Sequence, residues 1–274
     1  MAVTMADIQH LRKLTGAGMM DCKSALTEAE GDFDKAIEII RKKGQAFAAK
    51  REDRDASEGC VLAKVENGFG AIVALKCETD FVAINADFVA LTTTILDAAV
   101  ANKPADLDAL NAVVIDGRTI AELVTDRMGI TGEKMELGVY ETVIAPTVVA
   151  YIHPGNKLAS IVGFNKENVD AEVARDVAMQ VAAMNPVSIL PEEVSEEIKE
   201  RELNLAKEKA REAGKPENVI DTSAEDALQK FYKEYTLLQQ EFVKNPKQTV
   251  AQYLASADKE LAVVGFKRFT LNAE

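Results

Sequence analysis

The sequence predicts an α+β protein, and three observations carry that prediction. A strand hairpin followed by an amphipathic helix occurs twice, over roughly 61–101 and again over 148–184. Three short helical patterns precede the first of these, and a long charged helical hairpin follows the second. Hairpins and helices segregated in this order build antiparallel sheets with helices on their faces, here as two similar halves.

The elements can be justified in turn. Thr4 is placed to cap a first helix whose face carries Ile8, Leu11 and Leu14, and Thr15-Gly16-Ala17-Gly18 breaks it. A second helix, from about Met20 to Glu30, sets Cys22, Ala25, Leu26 and Ala29 on one side. Gly31-Asp32 breaks and recaps, and Phe33, Ala36, Ile37 and Ile40 give a third helix expected to end before Gly44. The run Lys50 to Asp55 is charged and poor in apolar residues, so it reads as a linker or a solvated helix end.

Val61, Ala63 and Val65 then alternate, Asn67-Gly68 supplies a turn with positive φ, and Phe69 to Leu75 returns. Helices are expected at about 86–101 and 119–128, the latter entered through Asp116-Gly117-Arg118-Thr119, and a strand from Glu136 to Ile144 closes the first half. The order recurs with Val148 to Ile152, the turn Pro154-Gly155-Asn156, a strand from Ala159 to Phe164, and a helix over 170–184 that buries Val173, Val177, Val181 and Met184.

From Glu192 to Ala213 runs a charged helix with a thin seam of Val194, Ile198 and Leu205, turned by Gly214-Lys215-Pro216 into a second helix from Ser223 to Tyr235 with Leu228 and Phe231 inward. So narrow a seam suits either a protruding hairpin that pairs with itself or a partner, or a solvated surface element. The chain re-enters the core through Val250 and Leu254 and ends on a strand from about Leu261 to Leu271. The expected units are therefore a three-helix domain (1–55), a first core half (56–145), a second core half (146–186 with 229–274) and an inserted helical hairpin (187–228).

Composition excludes several functions. The formal net charge of −13 over 274 residues argues against general affinity for nucleic acid or anionic membranes. No apolar run approaches the ~20 residues that span a bilayer, and the N-terminus has neither a signal-type core nor the look of a transit peptide, so a cytoplasmic protein is expected. The three cysteines, Cys22, Cys60 and Cys77, sit in apolar patterns and read as reduced core thiols.

Catalytic chemistry finds little support. The two histidines, His10 and His153, stand in no metal-ligand spacing, so no metal and no cofactor are expected. Gly16-Ala17-Gly18 before Lys23-Ser24 resembles a phosphate-binding loop only on the surface. Cys22 stands where glycine must precede the lysine, and a helix leads in where a strand is required. Non-enzymatic function is the expectation.

The candidate functional residues lie elsewhere. Cys77-Glu78-Thr79-Asp80-Phe81-Val82-Ala83 follows the buried strand Ala71 to Leu75 and precedes the helix near Asn85. Asp80 and Phe81 fit two roles. The carboxylate caps the helix while the ring staples back onto the core, or the pair forms a rigid tip offering a ring and a negative charge to another protein. Met19 and Met20 beside the glycine turn suit either a bundle core or a binding edge, with one expected buried and one exposed. His153, ahead of Pro154, either orders its turn or touches a partner.

Leu11-Arg12-Lys13-Leu14-Thr15-Gly16-Ala17-Gly18-Met19-Met20-Asp21-Cys22-Lys23-Ser24-Ala25-Leu26, together with Thr79-Asp80-Phe81-Val82-Ala83, closely resembles the two signature segments of bacterial elongation factor Ts. The similarity continues through Gly31 to Ala36, Tyr151-Ile152-His153 and Phe242-Val243-Lys244. The resemblance implies a guanine-nucleotide exchange factor for elongation factor Tu, with a ubiquitin-associated-like (UBA-like) N-terminal bundle, a coiled-coil hairpin, and a homodimer or a heterotetramer with its partner as possible assemblies. It implies that Asp80 and Phe81, flanked by Thr79 and Val82, enter beside the partner's magnesium and phosphate site, and that Arg12, Met19, Met20 and His153 also contact the partner. The chain departs from the family pattern at Lys76, Ile84, Asn156-Lys157 and 221–226, and no extended C-terminal module is expected. Two other classes fit the same elements: a binder of ubiquitin-like folds on a scaffold, and a dimeric structural protein joined through the helical hairpin.

Overall fold

Turn chemistry lays out the strands. In the computed structural model, which describes residues 3–273, Asn67 and Gly68 both take positive φ (49° and 73°). That is the geometry of a two-residue hairpin turn whose twist matches its strands. It joins β1 (Glu58–Glu66) to β2 (Phe69–Cys77), with Glu66 opposite Phe69. Only glycine fits at position 68, because a Cβ there would stand 2.6 Å from the Ala145 carbonyl oxygen.

β2 leads through the single turn α4 (Asp80–Ala83) into α5 (Ala86–Asn102), then α6 (Leu107–Asn111), the small hairpin β3 (Val114–Ile115) and β4 (Arg118–Thr119), and α7 (Ile120–Thr131). β5 (Met135–Ile144) returns along the other edge of β2, giving a sheet of order β1-β2-β5. The second half repeats the plan with β6 (Thr147–Ile152), β7 (Leu158–Phe164), α8 (Ala171–Met184) and, much later, β10, the strand Val263–Thr270. Its sheet runs β6-β7-β10, again with the second hairpin strand in the centre.

The layers explain why the central strands are apolar throughout. Ala71, Val73, Leu75 and Cys77 of β2 face α5, where Phe88, Ile95, Leu96 and Ala99 are buried. Ile72 and Ala74, on the opposite face, pack with Val148, Ala159 and Ile161 of the second sheet. Val162 and Phe164 turn outward onto α8, against Ala174, Val177 and Val181. Helix, sheet, sheet and helix thus stack in order. A strand buried on both faces loses the alternation that a half-exposed strand would show.

The N-terminal helices α1 (Met5–Thr15), α2 (Met19–Glu28) and α3 (Phe33–Ala49) enclose Ile8, Leu11, Cys22, Ala25, Leu26 and Ala36. Thr4 and Asp7 form a reciprocal cap on α1. Two expectations need correction here. α3 does not end before Gly44 but runs to Ala49, because Gly44 is a crossing point rather than a stop. It meets Gly129 of α7 so closely that a Cβ on Gly129 would lie 2.8 Å from the Gly44 Cα. Leu14, expected inside the bundle, is 58% exposed in the last turn of α1. It lines a cleft of about 570 Å³ between the bundle and α7, beside Ile37, Ile40 and Ile130.

The charged helices also start differently. α9 (Glu196–Glu212) begins four residues later than expected, because Pro191–Glu193 form a separate 3-10 turn and the Ser195 hydroxyl caps at Ile198. α10 (Ile220–Tyr235) begins before Ser223 and buries Ile220 and Ala224, whereas Leu205 of α9 is 41% exposed. The seam is therefore made by small residues more than by leucines. The return contains β8 (Glu241–Phe242), β9 (Asn245–Thr249) and α11 (Val250–Ala257); the pattern marked only Val250 and Leu254 of the last as core, and both are buried. Gln240, 1% exposed, pins it by donating to the Met184 and Glu234 carbonyls and accepting from Gln180.

Candidate functional site

The candidate site is a convex tip, built where β2 runs out. The last strand residue, Cys77, donates its thiol to the Thr79 carbonyl at 3.2 Å, and burial pushes its pKa up to about 12. Thr79 sits at the N-cap of α4 without capping through its side chain. Its amide and hydroxyl both bond the carboxylate of Glu133, at 3.0 and 2.6 Å. One helical turn follows, closed by Ala83 and Ile84 amides on the carbonyls of Thr79 and Asp80. Asn85 then caps α5 by accepting from the Asp87 amide.

This scaffold leaves Asp80 and Phe81 without the cap and staple roles. The Asn85 side chain caps α5, and Thr79 stands at the N-cap of α4, so Asp80 caps neither helix. Phe81 is not folded back as a staple: it is 80% exposed, with Ile84 three residues on at 76%. Residues three apart lie on one helical face, so the two apolar side chains form a single patch with Asp80 beside it. Val82 and Ala83 turn inward and pack on the first core, which holds the turn in place. An exposed ring on a turn seated this firmly presents its surface with little conformational freedom left to lose.

His153 lies at the turn between β6 and β7, its amide bonded to the Leu158 carbonyl and its Nδ1 3.0 Å from the Tyr151 hydroxyl. The turn docks on β1 through a hydrogen bond from the Val61 amide to the Asn156 carbonyl (2.7 Å). Lys157 pairs with Glu58 at 2.7 Å, and that pairing, with a smaller contribution from Asp80, raises the lysine's pKa. The His153 turn and the tip therefore share one end of the molecule.

Arg12, at the end of α1, and Met19 and Met20, at the start of α2, are each exposed on the bundle. Both methionines are exposed, at 40% and 75%, against the expectation that one would be buried. The buried side of α2 begins at Cys22, which leaves Met19 and Met20 outside the bundle core. Lys76, one of the departures from the family pattern, lies back on the strand, paired with Glu136 at 3.0 Å.

Sequence reasoning missed three residues at the base of the tip: Glu133, which holds Thr79, and Glu78 and Lys134, which clasp the stretch after α3. No local signal marks them: Glu133 meets Thr79 from 54 positions away, just beyond the end of α7. Among the described residues, no group of three or more His, Cys, Asp or Glu side chains is placed to share a metal ion. No helix there is long and apolar enough to cross a membrane.

Fold and site together define a class: a mixed helix and antiparallel-sheet protein whose conspicuous surface is an exposed tip rather than a cleft. Comparison with known proteins narrows the class. A family model described as elongation factor TS matches residues 78–273. Over the full length of both chains, the protein is 62% identical to an elongation factor Ts of Porphyromonas gingivalis. The corresponding figures are 58% for that of Azobacteroides pseudotrichonymphae and 50% for that of Bacteroides fragilis, again with both chains fully covered. The chain belongs to the elongation factor Ts family.

Proposed function

We propose that the protein is a guanine-nucleotide exchange factor for elongation factor Tu, acting by insertion of Asp80 and Phe81 beside the partner's magnesium and phosphate site. The observation that carries this reading is the tip: an 80% exposed phenylalanine on a helical turn locked from beneath. GDP in such a GTPase is held by backbone amides and by Mg²⁺ bridging its phosphates. A ring wedged between the elements that carry those groups shifts the donors, and a carboxylate beside it disturbs the ion's ligand shell. Nucleotide and exchange factor then weaken one another reciprocally.

Magnitudes assign the shares. Burying one phenylalanine is worth roughly 1.5–3 kcal/mol, which is about ten- to a hundredfold in an equilibrium constant. Larger coupling must come from the rest of the surface. That role falls to Thr79 and Val82 at the tip, His153 beside it, and Arg12, Met19 and Met20 on a UBA-like bundle spanning 1–55. Ile84 extends the tip's apolar face where the family usually carries a basic residue. The pair α9–α10 is read as a coiled coil available for self-association, its insertion placed at 187–228 although α10 runs on to Tyr235, with the two core halves at 56–145 and at 146–186 with 229–274.

The test is release of labelled GDP from elongation factor Tu. The wild-type protein accelerates release, Phe81→Ala reduces that acceleration about tenfold or more, and Asp80→Ala also impairs it. No acceleration by the wild type overturns the reading.

A further inference from the structure

One polar cluster ties the tip to the bundle. The Glu78 carboxylate, between β2 and Thr79, receives Arg51 on Oε1 and Arg54 on Oε2, each at 2.9 Å, and the Lys134 amide on Oε1 at 2.7 Å. Both arginines belong to the stretch that leads from α3 into β1. The Lys134 ammonium closes the circuit by donating to the Glu52 and Arg54 carbonyls at 2.6 and 2.8 Å. Its neighbour Glu133 holds Thr79, and the Arg51 guanidinium lies 4.5 Å from the ring centre of Phe47 on α3. With Glu78 16% and Arg51 23% exposed, their pair is screened by salt less than an open surface pair. The run that sequence reads as a linker is thus bolted to the base of the tip.

We propose that Glu78 and Lys134 are positioning residues, holding the bundle and the Asp80-Phe81 tip in one register so that a single partner meets both at once. The identity of that partner rests on the exchange-factor reading above; the geometry does not. Two contacts joined by a loose connector must be ordered when the partner binds, whereas two contacts held in register are preorganised. Neither Asp80 nor Phe81 takes part in the cluster. Its loss therefore weakens association and leaves intact what the tip does once seated.

Glu78→Gln removes the charge and keeps an acceptor for the Lys134 amide, and Arg51→Gln with Arg54→Gln approaches the same loss from the other side. Three readouts decide. In the free protein, Glu78→Gln speeds tryptic cleavage after Arg51 and Arg54. In GDP release, either variant raises the concentration for half-maximal acceleration roughly fivefold, with the maximal rate at saturation unchanged. In a Met19→Ala, Met20→Ala background, where the bundle contact is weakened, Glu78→Gln adds little further loss. Unchanged cleavage, a fall in the saturating rate, or the same fivefold factor in that background overturns the proposal. Should the wild type release no GDP, the exchange reading fails, and the cleavage measurement alone decides whether Glu78 holds the connector.

Discussion

Phe81 and Glu78 sit three residues apart and show what the environment does to a side chain. Phe81 is apolar and exposed, because Val82 and Ala83 already fill the space beneath their turn. Glu78 is charged and only 16% exposed, and the Lys134 amide, with Arg54 and Arg51, holds its pKa down to about 2. Because that value lies below the ordinary 4.5, the carboxylate favours the fold at every pH above about 4.5. The contribution fades as pH falls toward 2. Denaturant unfolding of wild type and Glu78→Gln should therefore differ by on the order of 1 kcal/mol above pH 4.5, Arg54 being exposed to screening, and converge in acid. A gap that widens with falling pH contradicts this ion pairing.

Among the elements, α3 departs most from its sequence pattern. A glycine near a helix end usually marks the end, yet Gly44 is carried through because α7 crosses there. The two glycines at the crossing are not equivalent. A Cβ on Gly129 would stand 2.8 Å from the Gly44 Cα, whereas a Cβ on Gly44 has nothing nearer than 3.7 Å. Gly129→Ala should lower stability by about 1–3 kcal/mol, since backbone must move apart. Gly44→Ala should be neutral or stabilising by up to ~1 kcal/mol, from helix propensity alone. Thermal unfolding of the two variants checks the contrast, and equal effects would deny the close crossing. The glycine turns at Asn67-Gly68 and Gly214, by contrast, were legible because their chemistry is local. The short strands β8 and β9 were not, since so few residues carry no periodicity.

At the scale of the whole molecule, the two sheets share one interior. Ile161, fully buried, packs with Ile72 and Ala74 across the layer. Ile161→Ala should cost about 2–5 kcal/mol and destabilise both sheets together. Amide hydrogen exchange in β2 and β7 reads this directly, and loss of protection in β7 alone would mean that the halves unfold separately. Sequence by itself determined the longer helices, the two main hairpins, their twofold recurrence and the family signatures, because these depend on residues a few positions apart. Tertiary structure alone decided that Phe81 faces solvent, that both methionines are exposed, that α3 continues through Gly44, and that the charged linker is clasped by Glu78 and Lys134. Those outcomes depend on which distant side chains arrive at the same place. Spacing along the chain carries no record of Glu133 reaching back to Thr79, and only the folded layers bring the two together.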